Sequence, residues 1–82
     1  MDNRQKISRW LTSMAGKNRY ELQAVDNCGL QDGREVIADV YDDFLLFSIY
    51  ANGKTGSPFL SVPIDTLSPS IAARIENEVN NH

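Results

Sequence analysis

The 82 residues provide for one domain, because a chain of this length buries only roughly 60–65% of its unfolded surface and leaves no material for a second core. At 41% hydrophobic and 23% charged residues it is too apolar for disorder, and its single cysteine, Cys28, excludes an intramolecular disulfide and a cysteine-based zinc cage. The net charge of −3 speaks against broad nucleic-acid binding, in which neutralising phosphates supplies most of the affinity.

Charge is divided along the chain. Residues 1–20 carry Arg4, Lys6, Arg9, Lys17 and Arg19 against Asp2, a balance of +4. Residues 21–43 carry Glu21, Asp26, Asp32, Glu35, Asp39, Asp42 and Asp43 against Arg34, a balance of −6. Such asymmetry suggests a charged partner.

In chain order, Ile7, Trp10, Leu11, Met14 and Ala15 recur at helical spacing and predict an amphipathic helix over residues 3–15, with Asp2 and Gln5 as a capping box and Gly16 as its stop. The alternation of Tyr20, Leu22 and Ala24 with Glu21, Gln23 and Val25 predicts a first strand. Turn chemistry at Asp26-Asn27, Cys28-Gly29 and Asp32-Gly33 separates it from a second, Arg34 to Tyr41. Asp42-Asp43 forms a tight acidic corner before a third strand, Phe44 to Ala51, and Asn52-Gly53 favours a hairpin turn after it. Phe59 to Ile64 reads as a fourth strand, with Pro63 suited to a strand end or an edge. Ser68-Pro69 predicts the start of a second helix running to about Asn80, with Ile71, Ala72, Ile75 and Val79 as its apolar stripe.

The expected fold is therefore α+β in the order α-β-β-β-β-α: an antiparallel four-stranded meander with two terminal helices packed on one face. Strand parity sends Leu22, Val36, Ala38, Val40, Leu45, Phe47, Ile49, Leu60, Val62 and Ile64 toward the helices. The opposite side then gathers Ile37, Tyr41, Phe44, Leu46, Tyr50 and Phe59, edged by Glu35, Asp39, Asp42 and Asp43. Contiguous apolar surface of this kind, rimmed by charge, suits protein recognition.

Other chemistry has little footing. His82, the only histidine, is the last residue, so Cys28 has no well-placed imidazole to activate it, and alternation points the adjacent Asp42 and Asp43 apart. Asp26, Asp32 and Asp39 lack the ligand spacing of an EF-hand calcium loop, and Gly53-Lys54-Thr55 lacks the remaining glycines of a phosphate loop. The final helix opens on Ser68-Pro69-Ser70-Ile71 rather than on a lysine cluster, which removes a double-stranded-RNA reading. No enzyme, cofactor or metal is expected.

The longest apolar run, Phe44 to Ala51, is strand-length, and Arg4, Lys6 and Arg9 precede no secretory h-region; with the unpaired cysteine this gives an expectation of a cytoplasmic protein that does not engage a membrane. The functional expectation is a small acidic protein-binding module, an inhibitor or adaptor for a partner with a basic surface such as a nucleic-acid-binding protein. Its anchors would be Tyr41, Phe44, Tyr50 and Phe59 with Ile37 and Leu46 beside them, and Asp39, Asp42 and Asp43 would orient it. The alternatives are a structural homodimer through the same sheet face, and carboxylates that only keep the apolar strand from pairing wrongly.

Overall fold

A computed structural model describes all residues, 1–82. Helix α1 spans Asn3–Met14 and opens on the expected box: Gln5 N–H donates to the Asp2 carboxylate at 2.8 Å, and Asp2 N–H to Gln5 Oε1 at 3.2 Å. It ends one residue earlier than its apolar stripe suggests, because Ala15 is extended and Gly16 takes φ +82°, a value that glycine adopts without penalty.

The segment expected to be the first strand is a helix. Helix α2, Arg19–Gln23, is nucleated by a second capping box: Glu21 N–H donates to Asn18 Oδ1 at 2.9 Å, and Asn18 N–H to Glu21 Oε1 at 3.0 Å. Two satisfied orphan amides outweigh a five-residue alternation in which Leu22 alone is buried.

The sheet begins later, at β1 (Cys28–Gly29), which pairs with β2 (Glu35–Tyr41). β2 and β3 (Phe44–Ala51) form the long central hairpin, closed by the pair Tyr41 and Phe44 around Asp42-Asp43, with Asp42 held at φ +47°. Asn52 and Gly53, at φ +55° and +78°, turn β3 into the two-residue β4 (Lys54–Thr55). This matches a type I′ hairpin turn, whose twist agrees with that of the strands. β5 (Leu60–Pro63) pairs antiparallel with the other half of β3, so the sheet has five strands around a β1-β2-β3-β4 meander. Pro63 closes an edge strand, where its missing N–H costs no ladder bond.

After β5 come two 3-10 turns, Ile64–Thr66 and Pro69–Ile71, and then helix α3, Ala72–Asn80. Ser68 and Pro69 thus open the second 3-10 turn rather than α3 itself.

Within β2, β3 and β5 parity is as expected, whereas Leu22 reaches the core from α2 and Ile64 from the first 3-10 turn. Val36, Leu45, Phe47, Ile49 and Val62 face the helices and are buried, while Ala38, Val40, Leu60 and Ile64 are half-buried against the same cluster. α1 contributes Ile7, Trp10, Leu11 and Met14, α2 contributes Leu22, and α3 contributes Ala72, Ile75 and Val79, so all three helices bury their apolar residues on one side of the sheet. Trp10 packs edge-on to Phe47 with ring centroids 5.8 Å apart, and its indole N–H donates to the Asp26 carbonyl at 2.8 Å. Cys28, Leu30, Leu67 and Ile71 complete the core.

Candidate functional site

On the side of the sheet turned away from the helices, the β2–β3 register sets Glu35 opposite Tyr50, Ile37 opposite Ser48, Asp39 opposite Leu46 and Tyr41 opposite Phe44. β5 extends the surface by placing Ser61 beside Leu46 and Pro63 beside Phe44. Tyr41 is 52% exposed and Tyr50 37%, whereas Ile37, Phe44 and Leu46 are half-buried by one another and by the strands alongside. The rings of Tyr41 and Phe44 lie nearly parallel, 6.1 Å apart, and form a flat aromatic ledge at the hairpin end.

The expected residues are thus brought together with one departure. Phe59 is half-buried and packs against the core cluster, because its N–H donates to the Phe47 carbonyl at 2.9 Å at the point where the chain enters β5. Ser48 also differs from its neighbours: it lies on this face yet is 2% exposed.

The rim is acidic and electrostatically open. The ion pairs of the molecule are Arg4 with Glu76 at 3.6 Å and Arg34 with Asp32 at 2.7 Å, so Asp39, Asp42, Asp43 and Asp65 engage no cation. Glu35 accepts from the Asn27 amide at 3.1 Å. Around the hairpin end, Asp42 and Asp43 join Asp65, Ile64, Asn18 and Arg19 in lining an open cleft of about 750 Å³. Sequence reading did not foresee Asp65 or Arg19 there, since they converge only because α2 and the first 3-10 turn flank the β2–β3 corner. The link is partly main-chain: Ile64 N–H donates to the Asp43 carbonyl at 2.8 Å.

Arg19 lies over its neighbour Tyr20, its guanidinium carbon 5.5 Å from the ring centroid. No group of three or more His, Cys, Asp or Glu side chains is placed to hold a metal ion. Burial pushes the Cys28 thiol up from its ordinary range, against a smaller opposing pull from Lys6, which leaves it a protonated core group rather than a nucleophile.

Chemically, the face offers aromatic and aliphatic area for burial, together with carboxylates free to take a guanidinium or ammonium from outside. Comparison with protein-family models, with curated proteins and with solved structures finds no match to this chain. No helix is long and apolar enough to cross a membrane.

Proposed function

We propose that this chain is a non-enzymatic protein-binding module, an inhibitor or adaptor that docks the outer face of its sheet onto a basic surface of another protein, such as the nucleic-acid-binding groove of a DNA- or RNA-binding protein. The observation that carries the reading is the coincidence of a half-buried apolar stripe, Ile37, Phe44 and Leu46 with Tyr41 and Tyr50, and a rim of carboxylates that lack cations of their own. Covering ~100 Å² of the stripe contributes about 2.5 kcal/mol before association costs. Asp39, Asp42 and Asp43 would steer the encounter and fix orientation.

Self-association through the same face is disfavoured electrostatically, because it would bring two like-charged rims together.

The test is affinity capture from the native host with mass spectrometry, using a Tyr41→Ala/Phe44→Ala variant as control, followed by titration of the captured partner at rising salt. Affinity should fall steeply as ionic strength shortens the screening length, and Asp42→Ala/Asp43→Ala should weaken binding by about tenfold or more. Binding indifferent to salt and to both double variants would refute the reading. So would a wild-type protein that sediments as a dimer and becomes a monomer on Phe44→Lys.

A further inference from the structure

We propose that the outer edge of β2 over Ala38–Val40 is a strand-acceptor site, filled by an extended, lysine- or arginine-bearing segment of the partner that joins the sheet beside β2. The proposal rests on the protein-binding reading above and specifies what the partner presents.

Tyr41 and Phe44 close a two-residue turn, so antiparallel alternation turns the main-chain groups of Ile37, Asp39 and Tyr41 toward β3 and those of Val36, Ala38 and Val40 away from it. β1 meets Val36 through Cys28, runs only to Gly29 opposite Glu35, and has no residue paired with Ala38 or Val40. No turn, loop or cap bond of the main chain reaches Ala38 or Val40. Two N–H and two C=O groups therefore stand in a row along a half-buried edge, an arrangement that β-strand addition exploits.

What lies alongside is thin. α2 packs near β2, but its capping box keeps it helical, so it offers no ladder; Leu22 is its one buried residue, and Tyr20 is 73% exposed. α2 shields this edge without bonding to it, so an added strand displaces α2, whose one buried anchor is Leu22, from beside β2.

The residue between the open positions decides the chemistry of the occupant. Asp39 is exposed, has no ion-pair partner and projects to the outer face. A residue directly opposite it on an added strand would have its Cβ roughly 5 Å away, within easy reach for a lysine or arginine. The same carboxylate speaks against a second copy of this chain. The two-fold register that engages all four groups pairs Ala38 with Val40 and sets Asp39 against its own counterpart, and like charges directly opposite are destabilising.

The experiment is amide exchange by NMR on the full chain, titrated with a capped heptapeptide of alternating valine and lysine. Exchange at Ala38 and Val40 should slow by about tenfold or more, while the amides of Ile37 and Asp39, already turned to β3, should change little. The peptide N-methylated on its sheet-facing amides should bind at least about tenfold more weakly than the one methylated on the alternate amides. Asp39→Lys should abolish binding of the lysine peptide and confer binding of its glutamate counterpart, a charge swap that a misfolded variant could not produce. Perturbation confined to Tyr41, Phe44 and Leu46, with Ala38 and Val40 unprotected, would overturn strand addition while leaving docking by the sheet face intact. A peptide that perturbs neither set at millimolar concentration would overturn strand addition and count against the docking reading as well.

Discussion

Arg34 shows how one side chain joins distant parts of the chain. Its Nε and Nη2 meet Asp32 Oδ2 at 2.8 and 2.7 Å, and its Nη1 donates to the Val79 carbonyl at 3.0 Å, tying the β1–β2 loop to the last turn of α3. A lysine cannot reproduce that fork, so Arg34→Lys and Arg34→Ala should both destabilise, the alanine by about 1–2 kcal/mol for the Val79 contact, read from urea unfolding. The pH response follows from Asp32. The Arg34 hydrogen bonds, side-chain first and backbone second, hold its carboxyl below the usual carboxylate range. The folded value lies below the unfolded one, so this contribution is fully present above about pH 4, near the unfolded value, and is lost as pH falls through the folded value. Asp32→Asn should therefore flatten part of the acid limb of stability against pH. Urea midpoints taken between about pH 5 and about pH 2 check this, and identical acid limbs in wild type and variant would contradict it.

At the scale of elements, α2 is where local chemistry overrules pattern. Tyr20, Leu22 and Ala24 alternate as a strand would, yet Asn18 and Glu21 cap each other three residues apart, and the segment coils. The same i, i+3 signature marked α1 correctly at Asp2 and Gln5, so the clue was present at Asn18 and was outweighed by the alternation. β1 and β4 escaped sequence reading for a different reason: two residues are too few to show a period, and only pairing with β2 and β3 defines them. The long hairpin was legible because Val36, Leu45, Phe47 and Ile49 must all face one core, and a slip of one residue would expose all four. The candidate face was legible by the same parity, whereas Asp65 and Arg19 were not, because they reach the hairpin corner only through tertiary packing. Asn18→Ala should cost about 1 kcal/mol through loss of the cap. Leu22→Ala should cost about 2–4 kcal/mol through the cavity left beside β2. Far-UV circular dichroism with urea titration measures both, and an Asn18→Ala variant as stable as wild type would show that α2 is held by Leu22 alone.

The whole molecule is a sheet with unequal faces, and that inequality separates stability from recognition. Leu45 and Leu46 are adjacent on β3 and chemically identical, but Leu45 is fully buried among residues from the helices, whereas Leu46 is half-buried on the outer side between Asp39 and Ser61. Removing three carbons from Leu45 leaves a void that the surrounding side chains fill only in part, so Leu45→Ala should destabilise by about 2–5 kcal/mol. Such a loss is a large fraction of what a domain of this size possesses. Leu46→Ala opens no enclosed cavity and should cost less than about 1 kcal/mol, within the range of surface changes. Binding should follow the opposite order. Leu46 supplies apolar area next to the Tyr41–Phe44 ledge, so its truncation should weaken a partner seated on that face while the melting transition scarcely moves. Leu45→Ala, measured where it remains folded, should bind nearly as wild type. Thermal unfolding and partner titration of the two variants side by side give this crossed result if the outer face is the docking surface. Parallel losses of stability and binding in both variants would mean that the two faces are not independent.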